Sequence, residues 1–97
     1  MRRFVFRAQA ELELAAAIEW YQEQDVAVAI EFAESVDRIL NAILANPFQY
    51  QVVEGEARRA TMRHFRYAII YLVKEAELII VSVFHTSRDP NIWRDRL

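Results

Sequence analysis

The stretch from Arg58 to Arg96 decides the fold, and it reads R-R-A-T-M-R-H-F-R-Y-A-I-I-Y-L-V-K-E-A-E-L-I-I-V-S-V-F-H-T-S-R-D-P-N-I-W-R-D-R. Within it lie two strongly apolar runs, Ala68–Val73 and Leu78–Phe84, with only residues 74–77 between them. Both runs are rich in Ile, Val, Tyr and Phe, which pack well on the pleated surface of a sheet. The pattern predicts a tight antiparallel hairpin, with an arginine-bearing strand before it and an arginine-bearing tail after it.

The predicted hairpin is predominantly apolar on both faces. A strand with one face in water alternates apolar and polar residues, and these two strands do not. Helices can cover one face of a small sheet, so the second face needs a partner, another copy of the chain, or this chain's own loops and tail. In the first strand one face would carry Tyr67, Ile69, Tyr71 and Val73, and the other Ala68, Ile70 and Leu72. In the second strand one face would carry Leu78, Ile80, Ser82 and Phe84, and the other Ile79, Val81, Val83 and His85.

The chain before the hairpin predicts a strand followed by two helices. Arg2–Arg7 alternates in part and is typical of a short strand. Ala8–Gln24 is rich in alanine and has no Gly or Pro, which favours a helix. Asp25 suits the N-cap of a second helix over Val26–Ala45, because its carboxylate can accept from the first free amides. Proline after Asn46 disfavours helical geometry there and ends that helix.

The remaining segments complete the predicted order. Phe48–Glu56 holds the only glycine of the chain and is interpreted as an irregular connection. Ala57–Arg63 is mostly polar and is predicted as a strand at a sheet edge. Asp89 and Pro90 resemble an N-cap followed by the first residue of a short helix over Asn91–Arg96.

These elements predict one α+β domain over residues 1–97. Its order is strand–helix–helix–three strands, with the helical hairpin packed on one face of a small antiparallel sheet and a short C-terminal helix. The chain has no cysteine, so it has neither a disulfide framework nor a thiol nucleophile. No apolar run approaches the roughly 18 residues of a membrane span, and the first apolar stretch is too short for a signal peptide. We therefore expect a cytoplasmic protein without a membrane partner.

Charge is distributed unevenly along the chain. Residues 1–56 hold four arginines against ten acidic residues, whereas residues 57–97 hold seven arginines and one lysine against four acidic residues. Arginine suits bidentate contacts with carboxylates or phosphates, so the basic half predicts an acidic or polyanionic partner. A plain solvated surface is the alternative interpretation. The arginines concerned are Arg58, Arg59, Arg63, Arg66, Arg88, Arg94 and Arg96.

His85 is the best candidate for acid–base chemistry on a phosphodiester, with Arg88 and Tyr71 as its possible neighbours. The alternative, which we favour, is that His85 lies at a strand end and hydrogen-bonds to the segment that follows it. His85, Ser87 and Asp89 are too close in sequence for a hydrolase triad. The chain shows no metal-ligand spacing, and we expect no cofactor and no metal.

Two segments resemble the RelE/ParE superfamily of toxins from bacterial type II toxin–antitoxin systems, and its ParE branch in particular. The resemblance covers nearly the whole chain, with Arg66 standing where the family commonly has proline. It rests on R-H-F-R-Y-A-I-I-Y-L-V and V-F-H-T-S-R-D-P-N-I-W-R-D-R, with the family elements at Phe65, Tyr67, Ile69, Tyr71, His85, Arg88, Asp89, Pro90, Trp93 and Arg96.

The resemblance implies a cognate antitoxin whose flexible C-terminal segment wraps the toxin in a hetero-oligomer. A ParE-like toxin would inhibit DNA gyrase by protein–protein contact, in the context of plasmid stabilisation, without binding specific DNA by itself. The paucity of lysines and of paired catalytic cations favours this branch. The residues assigned to the antitoxin or the target are Arg58, Arg59, Arg63, Arg66, Tyr71, His85, Arg88, Trp93, Arg94 and Arg96.

Two other functions remain open at the level of sequence. A RelE-like toxin would be a ribosome-dependent mRNA endoribonuclease, and its phosphate-handling residues would then be Arg63, Arg66, His85 and Arg88. The chain could also be a non-toxic member of the family that serves only as an interaction module. Trp93 is a candidate partner anchor or, in the alternative that we slightly favour, the residue that folds back on the sheet and holds the tail.

Overall fold

A mixed five-stranded sheet carries a hairpin of two helices on one face. In this computed structural model, which describes residues 1–88 and 91–97, the strand order across the sheet is β1-β5-β4-β3-β2. The elements are β1 (Arg3–Phe6), α1 (Ala8–Gln24), α2 (Val26–Ala45), β2 (Gln51–Glu54), β3 (Ala57–Thr61), β4 (Tyr67–Val73), β5 (Glu77–His85) and a 3-10 turn, η1 (Arg94–Arg96).

The helix boundaries confirm the sequence signals. The side chain of Asp25 accepts a hydrogen bond from the amide of Ala27 at 2.9 Å and caps α2. Asn46, ahead of the proline, is the C-cap of α2. Of the helices formed by the described residues, none combines the length and apolar character that a bilayer span requires.

Two features of the sheet differ from the sequence-based expectation. β1 pairs in parallel with β5, so the sheet is mixed and not wholly antiparallel. The connection predicted over Phe48–Glu56 contains β2, which pairs with β3 and takes the edge position predicted for β3. Gly55, with φ of +54°, lies in the turn between these strands, in the left-handed region where side chains are strained.

An extra residue in β5 changes which side chains face the helices. Ile70 lies opposite Ser82 and Tyr71 opposite Ile80, so Val81 has no partner residue in the β4–β5 ladder. Such a bulge shifts the alternation of the strand by one residue. As a result Val83 joins the helix-facing cluster. The simple alternation of the sequence had assigned Val83 to the other face.

The tail of the chain covers part of the second face of the sheet. Trp93 is only 2% exposed and packs with Ile70, Val81 and Phe84. The chain's own tail, one of the three predicted covers, therefore covers this part of the face. In place of the predicted helix over Asn91–Arg96, a turn leads into η1, and the predicted cap at residues 89 and 90 lies outside the described residues.

Candidate functional site

A groove lies between α1 and the end of β5, and we call it the α1–β5 groove. Pairing between β1 and β5 ends at Phe6 and Ile80, so residues 81–85 of β5 continue without a neighbouring strand on that side. The groove has a volume of about 470 Å³. It is lined by Glu13, Ala16, Ala17, Trp20, Tyr21, Tyr67, Val83, Phe84, His85 and Arg88.

His85 is held by the turn that follows it. Its Nδ1 accepts a hydrogen bond from the amide of Ser87 at 3.1 Å, and its carbonyl accepts one from the amide of Arg88 at 3.0 Å. Because Nδ1 is an acceptor, the proton of the neutral ring is on Nε2. Both contacts agree with the interpretation that His85 lies at a strand end and hydrogen-bonds to the segment that follows it.

The aromatic neighbour of His85 is Tyr67, and Tyr71 lies elsewhere. The two rings meet edge-on with centroids 5.2 Å apart. Burial raises the pKa of Tyr67; the nearby Tyr21 raises it further, while Arg88 lowers it. Tyr67 therefore remains a neutral phenol at physiological pH. Tyr71, which the sequence analysis had placed beside His85, pairs with Ile80 further along the strands.

Tyr71 and Arg58 fix the connection between α2 and β2. The hydroxyl of Tyr71, a fully buried residue, donates to the carbonyl of Pro47 at 2.6 Å, and burial raises its pKa to about 12. Arg58 donates to the carbonyls of Phe48 and Tyr50 at 3.2 and 2.7 Å. Both side chains thus satisfy backbone carbonyls within the fold.

Three residues of the tail hold it against the sheet. The ring of Trp93 is buried, and its indole N–H has no hydrogen-bond partner among the described residues. Arg94 pairs with Glu54 of β2 at 2.9 Å and lies over the Trp93 ring at 5.5 Å. Arg96 pairs with Glu13 of α1 at 2.7 Å. Ion pairs therefore join the tail to β2 through Arg94 and to α1 through Arg96.

Glu13 is the residue that sequence reasoning missed. Its carboxylate accepts from the amide of Val83 at 3.1 Å and from the hydroxyl of Ser82 at 3.0 Å, in addition to Arg96. It thus occupies the edge of β5 just past the end of β1. The available signal was its position in α1, three residues after Ala10 and four before Ala17, on the edge of the apolar stripe.

The remaining arginines are distributed over separate surfaces. Arg59 donates to the hydroxyl of Thr61 at 3.3 Å and lies over the ring of Phe84 at 5.4 Å. Arg63, Arg66 and Arg88 are exposed, and their side chains form no ion pair with the acidic residues that the structure describes. Arg88 lines the α1–β5 groove, whereas Arg63 lines a different cavity beside α2.

Of the four residues predicted for a nuclease, the structure brings only His85 and Arg88 into one groove. The side chains of Arg63 and Arg66 line no part of that groove. The described residues also contain no group of three or more His, Cys, Asp or Glu side chains that could hold a metal ion.

Comparison with known proteins agrees with this architecture. Residues 4–90 match the family model described as ParE toxin of type II toxin-antitoxin system, parDE. A solved structure described as the chromosomal ParDE TA system from P. aeruginosa shares 17% sequence identity, with a TM-score of 0.74 over 88% of this chain and 96% of that chain. No curated protein sequence matches the chain significantly. Because the family model spans most of the sequence, the chain belongs to the ParE toxin family of type II toxin–antitoxin systems.

Proposed function

We propose that this ParE family toxin inhibits DNA gyrase by protein–protein contact in the cytoplasm and is neutralised by a cognate antitoxin. The observation that carries the proposal is the separation of Arg63 from His85 and Arg88. Cleavage of a phosphodiester requires its cations and its acid and base around one phosphate. Contact with a protein target makes no such demand.

The α1–β5 groove is the surface that we assign to the antitoxin. Within the fold, Glu13 accepts from the Val83 amide and Arg96 donates to the Val81 carbonyl, so this part of the β5 edge is already occupied. We therefore expect an antitoxin segment to bind the groove through its side chains and not by strand pairing with residues 81–83. The aromatic rings of Trp20 and Tyr21 form an apolar wall of the groove, and Trp20 is 54% exposed. Arg88, which has no ion pair within the described residues, would face carboxylates of the peptide.

The test is a gyrase supercoiling assay with the purified toxin, alone and with the product of the adjacent reading frame. We expect inhibition by the toxin and relief by its partner. Unchanged supercoiling at a stoichiometric excess of toxin would contradict the gyrase proposal, and tight binding of the partner would still support the antitoxin assignment.

The alternative function is ribosome-dependent mRNA cleavage. The observation that favours it is that His85 and Arg88 line the same groove. A translation extract supplies the ribosomes and the mRNA for that assay. Cleavage that is lost on His85→Ala substitution would favour the nuclease over the gyrase inhibitor. Unimpaired growth on expression without the antitoxin would favour a non-toxic interaction module.

A further inference from the structure

A second cavity lies between α2 and the turn that joins β3 to β4, on a surface separate from the α1–β5 groove. We call it the α2–turn cavity, and its volume is about 650 Å³. Phe65 anchors the turn, because its ring packs edge-on against Tyr21 and Phe32 at 5.3 and 5.1 Å. The polar side chains that line the cavity are Ser35, Arg38, Tyr50, Thr61, Arg63 and His64.

Positive charge dominates this lining. No carboxylate is among the lining residues, which include two guanidinium groups and one imidazole. Arg38 donates to the hydroxyl of Ser35 at 3.0 Å, a bond that leaves its other N–H groups free for a ligand. Glu31 and Glu34 line an adjoining hollow, which shares Ser35, Arg38 and His64 with this cavity.

We propose that the α2–turn cavity binds the phosphate group of a phosphate monoester. Two guanidinium forks, an imidazole and three hydroxyls offer more hydrogen bonds than the two oxygens of a carboxylate accept. A terminal phosphate has three strong acceptor oxygens and about two negative charges, which match that set. We assign it binding only, and this inference does not rest on the proposed gyrase inhibition.

The apolar part of the lining defines the rest of the ligand. Ile39 and Met62 lie beside the polar groups, and Met62 is only 6% exposed. The ring of Tyr50 stands edge-on to Tyr71 with centroids 6.4 Å apart, which holds one side of the cavity. This combination suits a phosphate carried by a flat organic group, as in a nucleotide or at the phosphorylated end of a nucleic acid strand.

Calorimetric titration at constant ionic strength tests the proposal with four probes. These are adenosine monophosphate, adenosine, and one short DNA strand with and without a 5′-phosphate. We expect the phosphorylated probes to bind and the unphosphorylated ones not to bind. Binding of both phosphorylated probes indicates a free nucleotide or a strand end, and binding of the strand alone indicates the strand end.

Matched variants separate the cavity from general electrostatic attraction. Arg38→Gln and Arg63→Gln each remove one lining guanidinium and should weaken binding about tenfold or more. Arg66→Gln removes another exposed arginine, one that does not line the cavity, and it should leave the affinity unchanged within about twofold. All three positions are on the surface, so the variants should keep the wild-type melting temperature.

Three results would overturn the inference. The first is no binding of either phosphorylated probe. The second is equal binding of the DNA strand with and without its 5′-phosphate, which indicates attraction to the backbone in general. The third is an equal loss of affinity in Arg66→Gln and Arg63→Gln.

Discussion

Arg96 of the tail and Glu13 of the first helix form an ion pair around the edge of the sheet, with Nη1 and Oε1 2.7 Å apart. Both side chains are mostly buried, at 16% and 21% exposed. The same carboxylate accepts from the amide of Val83 and the hydroxyl of Ser82. Glu13 therefore links α1, the bulged part of β5 and the tail.

Glu13→Ala should destabilise the domain by about 2–4 kcal/mol, because it leaves a partly buried guanidinium and a strand amide without their partner. Urea unfolding measures the loss. Glu19→Ala, at an exposed position of the same helix, is the matched control and should change stability by less than about 0.5 kcal/mol. Combining Glu13→Ala with Arg96→Ala should give a non-additive total, and strict additivity would contradict the ion pair.

Trp93→Ala should destabilise the domain by about 3–5 kcal/mol, since it empties the space between the tail and the sheet. Trp93→Phe should cost far less, because the indole N–H has no partner among the described residues. Thermal unfolding with growth inhibition in parallel checks both. We expect toxicity to follow stability. A Trp93→Ala protein that melts like the wild type but is not toxic would instead make Trp93 a contact for the target.

Deletion of residues 88–97 should abolish toxicity for the same reason. It removes Trp93, Arg94 and Arg96 together and exposes the face of the sheet that they hold. Antitoxin binding measured on the same deletion separates two roles of the tail. Loss of both activities indicates a structural role, and loss of toxicity alone indicates that the tail faces the target.

Tyr71 should make stability fall at high pH. Its folded-state pKa is about 12, above the value near 10 expected in the unfolded chain. The folded state therefore holds the phenolic proton more tightly. This contribution is complete below about pH 10, is lost as the pH rises through about 12, and amounts to at most about 3 kcal/mol.

Tyr71→Phe is the variant that isolates this effect. It removes the bond to Pro47, costing about 1 kcal/mol near neutral pH, and it removes the titration as well. Between about pH 9 and about pH 11.5 the unfolding free energy of the wild type should fall by about 2 kcal/mol relative to the variant, so the initial advantage of the wild type should reverse. The other tyrosines are common to both proteins. A difference that is constant over this range would contradict the shifted pKa.

Ala16→Trp should weaken antitoxin binding by about tenfold or more, because it fills the α1–β5 groove. Ala15→Trp is the matched control, one residue away, exposed and outside the groove. Binding is measured by titration with the antitoxin, and circular dichroism verifies that both variants keep the fold. Equal affinity of the two variants would remove the groove from the antitoxin interface.

The local signals in the sequence predicted the elements well. The composition of residues 8–45 predicted the helices, with the ends of α2 at Asp25 and Asn46. The two apolar runs predicted β4 and β5. β2 was missed because its four residues, two adjacent valines between Gln51 and Glu54, carry no clear alternation. The parallel pairing of β1 was missed because the order of elements does not state which side of β5 the first strand joins.

The site was less accessible to sequence reasoning, since it depends on which side chains meet across the sheet. Tyr71 appeared close to His85 in a linear motif, yet the register puts Tyr67 there. Arg58 and Arg96 resembled ligand-binding cations, yet both are bonded within the fold. Strand register and the bulge decide these contacts, and neither has a local signature.

Different elements protect the two faces of the sheet from solvent, and the bulge at Val81 decides which residues of β5 lie on each face. Because the strand turns its side chains over at that point, Leu78 and Ile80 are sealed by the helices while Phe84 is sealed by the tail. Detachment of the tail therefore uncovers one face and leaves the helical side closed. In native-state hydrogen exchange, amides of η1 should open at a lower free energy than those of α2, as an independent unit of the molecule.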